Sequence, residues 1–268
     1  MELQSQVAEL RQRGLGLAAI SHDAVGILQA FSDRRGITFP MLSDTGSAYI
    51  TRIGLLNTTV PEDRSTYGIP FPGTFVLAPD GTIEARFFED AYQERFTMSN
   101  IDIALGNVPF GQGVRISGRH MEVLVGASDD VIAPGNRFAL VLEFHPGEKI
   151  HVYAPGETKY KVLDVRIDDA GGLLRAHPVQ YPEPEEYYFE PLDERVQVYQ
   201  QPFTVVQEVT LSASNEAQEA LADLDTLTIE GTIDYQACDD VICYNPTSIP
   251  VTWQMMLRPL DRIRVEQR

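Results

Sequence analysis

The chain has two cysteines, Cys238 and Cys243, with Asp239-Asp240-Val241-Ile242 between them. One close pair with no others serves as a local disulfide, a redox dithiol or half of a metal site. The gap is wider than the two-residue spacing of thioredoxin-type motifs and of most zinc knuckles, and no second pair completes a knuckle. Asp239 and Asp240 disfavour a neighbouring thiolate, so neither cysteine reads as a spontaneous nucleophile. A disulfide attacked by a partner's thiolate is less hampered by that charge. Closing so short a loop stabilises a fold by only about 2 kcal/mol, and a bond placed for stability would do better across a longer one. The redox reading and an inert structural disulfide both stay open. Metal ligation by the pair with His145 or His151 is the weakest reading, because those histidines lie far away in sequence. No cofactor or metal is expected.

Two alternating runs must position the pair. Leu227, Ile229, Gly231, Ile233 and Tyr235 precede it, and Val251, Trp253 and Met255 follow. Both read as strands, which places the cysteines in the connection with their Cα atoms roughly 6 Å apart and at least one sulfur reachable. Tyr235 and Tyr244 flank the pair as candidates to shield it. Further strands are expected at Val114–Ser117, His120–Val125, Arg137–Phe144, His151–Tyr153, Lys161–Ile167, Val196–Tyr199 and Phe203–Leu211. Such spacing predicts an antiparallel sandwich, its core including Trp253 and inward members of Leu227, Ile229, Ile233 and Tyr235. The stretch Pro182–Pro191 reads as a polar, proline-punctuated loop.

Residues 1–105 have a different rhythm. Leu3, Val7 and Leu10 mark a helix face, with Gly14 at its C-terminal cap. A strand over Leu15–Ile20 follows, then a helix through Ile27, Leu28 and Phe31 for which Ser21 and Asp23 offer caps. Phe39–Leu42 is extended, and Ser43-Asp44 opens a helix carrying Tyr49, Ile50 and Ile53. Thr74–Leu77 and Ile83–Phe87 form strands around Pro79-Asp80-Gly81. This is α/β patterning.

The 268 residues leave room for two domains, 1–105 and 108–268. A formal charge of −18 argues against nucleic acid or an anionic membrane as partner. No apolar stretch approaches the ~20 residues of a membrane span. The opening Met1-Glu2-Leu3-Gln4 lacks the pattern of an export signal. Arg258, Arg262, Arg264 and Arg268, diluted by Asp261 and Glu266, read as a solvated end, and Tyr92 and Arg95 receive no role.

Several pieces of the first region, Gly14–Ser21, Phe31–Pro40, Leu42–Asp44 and Tyr67–Leu77, resemble the AhpC/TSA redoxin family, which has the thioredoxin fold. The resemblance puts Pro72 where such folds carry a cis-proline. It also implies that the family's central strand and reactive cysteine precede the residues present here. The expectation is an N-terminally truncated redoxin domain whose sheet lacks its middle strand and which is inactive alone. Phe144–Tyr153, Tyr235–Cys238, Cys243 with Pro246, and Val251–Trp253 resemble the N-terminal domain of DsbD-type thiol:disulfide interchange proteins. That resemblance implies an immunoglobulin-like sandwich in which Cys238 and Cys243 are the active pair. It also implies partners that are thiol or disulfide proteins of thioredoxin type. The cysteine pair itself favours a periplasmic or otherwise extracytoplasmic setting, which the opening residues do not decide. The alternative is a non-catalytic binding or scaffold protein with a structural disulfide and a degenerate redoxin domain.

Overall fold

Side chains two apart along a strand share a face, so alternating runs need a core on one side only. In the computed structural model, which describes residues 2–64, 66–88, 94–111, 113–189 and 193–259, that rule separates two units, Met1–Phe88 and Glu89–Arg268.

The first unit runs α1 (Glu2–Gln12), β1 (Ala19–Ser21), α2 (Val25–Arg35), β2 (Met41–Ser43), α3 (Ala48–Arg52), β3 (Gly73–Leu77) and β4 (Ile83–Phe88). Helix α1 buries Val7 and Leu10. Gly36 ends α2 in a left-handed conformation (φ 62°), its N–H on the Ser32 carbonyl, a backbone state glycine adopts without strain. The expected side-chain cap of α2 is not made: its cap is Ala24, and the Ser21 hydroxyl donates to Asp23 Oδ2 instead. Strand β1 pairs in parallel with β2, Ile20 opposite Leu42. Strands β3 and β4 form a separate antiparallel pair. Among the described residues the strands of this unit thus form two separate pairs. The strand expected over Leu15–Ile20 is shorter and lies later, at Ala19–Ser21, where it pairs with Met41–Ser43. The Phe71–Pro72 peptide is trans, contrary to the expected cis-proline. Trans is the lower form of such a bond by about 0.5–1 kcal/mol.

The second unit is an immunoglobulin-like β-sandwich. In chain order it comprises β5 (Arg95–Phe96), α4 (Met98–Ala104), β6 (Val114–Ser117), β7 (Met121–Ala127), β8 (Val131–Ile132), β9 (Asn136–Pro146), β10 (His151–Tyr153) and β11 (Asp164–Ile167). It continues with β12 (Leu174–Ala176), β13 (Glu185–Phe189), β14 (Glu194–Tyr199), β15 (Phe203–Leu211), α5 (Asn215–Leu221), β16 (Thr226–Tyr235), β17 (Ala237–Cys238) and β18 (Thr247–Leu257). One sheet has the order β12-β15-β9-β7-β6, a second β11-β16-β18-β8, and a third β13-β14-β10-β17. The core between them takes Phe138, Leu140, Leu142 and Phe144 from β9 together with Leu227, Ile229, Ile233, Tyr235 and Trp253. Trp253 also donates its indole N–H to the Gly126 carbonyl at 2.7 Å.

Two readings are corrected here. The unit boundary lies between Phe88 and Glu89, not near residue 105, because β5 pairs with β9 and Asn100 of α4 donates to Glu208 at 2.6 Å. A short helix looks like α/β rhythm in sequence, and its partners lie far along the chain. Glu185–Phe189, read as part of a loop, is a strand on β14 with Tyr187 opposite Val196. Pro182 and Pro184 stand before it and interrupt no ladder bond. Tyr92, the segment 190–192 and the last three arginines of the tail lie outside the described residues.

Candidate functional site

Strand β16 ends at Tyr235, and the chain steps across to pair with β10: Ala237 opposes Val152 and Cys238 opposes His151. It then folds back on itself. The Asp239 N–H donates to the Ile242 carbonyl at 3.0 Å and the Tyr244 N–H to the Ala237 carbonyl at 2.9 Å. Between these bonds Cys238 and Cys243 face each other as a β-bridge, joined by a disulfide. Their Cα atoms are 4.1 Å apart, closer than the expected 6 Å. Directly opposed residues in a non-hydrogen-bonded antiparallel pair approach to about 4.5 Å, so hairpin pairing sets the distance.

Asp239 clamps this turn. Its Oδ1 accepts the N–H groups of Val241 and Ile242, both at 2.8 Å, and its Oδ2 accepts the Tyr244 hydroxyl at 2.7 Å. The Tyr244 bond first, then the two backbone bonds, hold the Asp239 carboxyl below the ordinary carboxylate range. The Tyr244 ring stacks on His120 with centroids 3.8 Å apart.

The two sulfurs have unequal surroundings. Cys238 is 1% exposed, whereas Cys243 is an exposed residue. The hydroxyl of Tyr153 lies 3.2 Å from Cys238 Sγ and 3.4 Å from Cys243 Sγ. Register explains its presence: His151 opposes Cys238, and Tyr153, two residues on, shares that face. Tyr153, Val198 and Cys238 form a small buried cluster separate from the main core, with Tyr160, Val162, Tyr187 and Val196 packed against it. Tyr160 stacks on Tyr153 at 4.3 Å and donates its hydroxyl to Glu194. Tyr187 tilts over His151 at 4.5 Å and donates to Asp240 Oδ1 at 3.1 Å. Burial, chiefly, pushes the Tyr153 phenol up, so it remains a donor at all ordinary pH. Burial also pushes His151 down, against the opposing pull of Asp240 and Asp239, and favours a neutral imidazole.

The tyrosines expected to shield the pair do other work. Tyr235 is fully buried in the main core, its hydroxyl on the Arg119 carbonyl at 2.8 Å. Tyr244 braces Asp239. The residue at the sulfurs is Tyr153, and a signal for it was present: it follows His151 at strand spacing, so two aromatic side chains leave β10 on one face. His145 pairs with Glu143 at 2.9 Å, and Pro72 belongs to the first unit. The disulfide thus joins a buried residue to an exposed one, with the Tyr153 hydroxyl within hydrogen-bond reach of both sulfurs.

Comparison with known proteins agrees with the resemblances drawn from residues. Residues 1–86 match the AhpC/TSA family. Residues 120–252 match the family described as thiol:disulfide interchange protein DsbD, N-terminal. No curated protein matches the chain. A crystal structure of the N-terminal periplasmic domain of ScsB from Proteus mirabilis aligns at 12% identity and a TM-score of 0.37. That alignment covers 52% of this chain and 49% of that one.

Proposed function

We propose that the second unit exchanges disulfides with protein thiols of thioredoxin type through Cys238 and Cys243. The observation that carries this reading is the asymmetry of the pair, with exposed Cys243 beside Cys238 at 1% exposure. A partner's thiolate attacks Cys243 Sγ in line, the bond to Cys238 breaks, and Cys238 leaves with the electron pair. Tyr153, at 3.2 Å, donates a hydrogen bond to that leaving sulfur. A second thiol of the partner then attacks its own sulfur in the mixed disulfide. The partner departs oxidised by two electrons, and the pair is left as a dithiol able to reduce a further disulfide. The first unit contains no cysteine and contributes no thiol chemistry. A working disulfide fits an extracytoplasmic setting, where such bonds persist. The near-complete burial of Cys238 favours a second reading, an inert structural bond in a binding protein.

Single variants separate the roles. In Cys238→Ser, Cys243 is a lone exposed thiol that can be capped with thionitrobenzoate. A thioredoxin-type protein retaining only its attacking cysteine should displace that cap and stay covalently attached. Cys243→Ser leaves the buried cysteine and should resist capping. Equal behaviour of the two variants contradicts the assignment.

A further inference from the structure

The turn that carries the reachable sulfur also carries a distinctive surface. Val241 is 82% exposed and Ile242 51%, immediately before exposed Cys243. The Asp239 clamp fixes these side chains outward, since both of their N–H groups are bound to its carboxylate. Isolated exposed apolar side chains are ordinary, but here two adjoin a disulfide and two carboxylates. Asp240 is exposed and, among the described residues, accepts the Tyr187 hydroxyl. Among the described residues no lysine or arginine pairs with Asp239 or Asp240. The cations of the neighbouring loop and strand are already engaged, Lys159 by Glu194 and Arg195 by Glu186. The net result is an apolar knob beside two carboxylates, faced by the imidazoles of His120 and His151, on a chain of formal charge −18.

Resting on the exchange reading above, we infer that the turn 239–243 is a charge-selective docking point. Its partner is a protein whose attacking cysteine sits in an apolar recess rimmed by lysine or arginine. The recess covers Val241 and Ile242. The rim pairs with Asp240 and is drawn by the charge of Asp239, whose oxygens the turn already occupies, and the same cations favour the partner's thiolate, the species that attacks. An acidic thiol meets repulsion at the same place. Charge complementarity of this kind acts mainly on encounter rate and partner choice, and salt screens it.

The test uses the full chain and blocked tripeptides Lys-Cys-Leu and Glu-Cys-Leu, which differ in one side chain and so in the sign of its charge. Each peptide thiolate attacks Cys243 Sγ, and Cys238 leaves with the electron pair and takes a proton. A second peptide thiolate then attacks the peptide sulfur of the mixed disulfide. Peptide disulfide and the protein dithiol result, with two electrons passed from two peptides. Dithiol formation is followed by alkylation and mass, and rates are expressed per thiolate. At low ionic strength the lysine peptide should be at least about tenfold faster, from unit charges a few ångströms apart near a water-exposed surface. Above about 0.5 M salt the ratio should fall to about twofold. Asp240→Asn should shrink the low-salt ratio about threefold, by removing one of the two carboxylates. Equal, salt-independent rates overturn charge selection and leave the exchange reading standing. Failure of both peptides to reduce the folded protein overturns the exchange reading and this inference with it.

Discussion

Replacing Tyr153 with phenylalanine removes one oxygen and leaves a ring in place against Tyr160. With the disulfide intact, that hydroxyl faces neutral sulfurs, which are weak acceptors, and its loss should cost folding less than about 1 kcal/mol. After reduction the situation differs. The hydroxyl stands 3.2 Å from Cys238 Sγ, and a hydrogen bond to a charged acceptor is worth about 1.5–3 kcal/mol. At about 1.36 kcal/mol per unit, the Cys238 thiol of Tyr153→Phe should titrate about 1–2 units higher than in the parent chain. Burial raises the Tyr153 phenol, so its proton is present throughout the range in which a thiol titrates and the donor does not fail first. Attack on Cys243 expels Cys238, and a less stabilised thiolate leaves more slowly. If about half of the change reaches the transition state, exchange slows about three- to tenfold. The assay pairs thiolate absorbance of the reduced protein, titrated with pH, with stopped-flow reduction by a small thiol. An unchanged thermal midpoint serves as the folding control. Identical titration and identical rate in parent and variant would refute the role given to Tyr153.

Three further outcomes follow from the geometry. Removing the disulfide by Cys238→Ser and Cys243→Ser together should leave the sandwich folded and lower its stability by about 2 kcal/mol, read by chemical denaturation with circular dichroism. Trp253→Ala should cost about 3–5 kcal/mol through the cavity it opens. Trp253→Phe should cost about 1–3 kcal/mol, because the Gly126 carbonyl loses its donor. Asp239 has a depressed carboxyl, so its stabilisation of the turn is complete above the ordinary carboxylate value and disappears as pH falls through the lower folded value. Amide exchange at Val241 and Ile242, corrected for intrinsic rate, should therefore accelerate only in acid. Asp239→Ala should show the acid-like exchange at neutral pH.

Much of the sandwich was readable because a half-buried strand must alternate. Val114–Ser117, His151–Tyr153 and Phe203–Leu211 stand where alternation placed them, and Leu227, Ile229, Ile233, Tyr235 and Trp253 are all buried. The misses have common physical causes. Glu185–Phe189 was obscured by prolines that stand beside the strand rather than within it. Residues 94–105 follow α/β segments in sequence but are claimed by β9 and Glu208 through long-range bonds. At the site the cysteine pair was evident, but its asymmetry was not. Which sulfur is buried depends on β10 pairing with β17, a contact spanning 85 residues between Tyr153 and Cys238. Proximity in sequence pointed to Tyr235 and Tyr244, whereas strand register brought Tyr153. Asp239 was read as a charge acting on thiols, and only the folded turn shows its carboxylate spent on Val241, Ile242 and Tyr244.

The reduction potential of the Cys238–Cys243 disulfide tests the central claim most directly. The full chain is equilibrated in glutathione or dithiothreitol buffers, and the dithiol fraction is counted after alkylation. A pair built for exchange should have a potential above about −300 mV, within reach of thioredoxin-type donors, with the sandwich still folded after reduction. A potential well below about −300 mV, or unfolding on reduction, would identify the bond as structural and contradict the account.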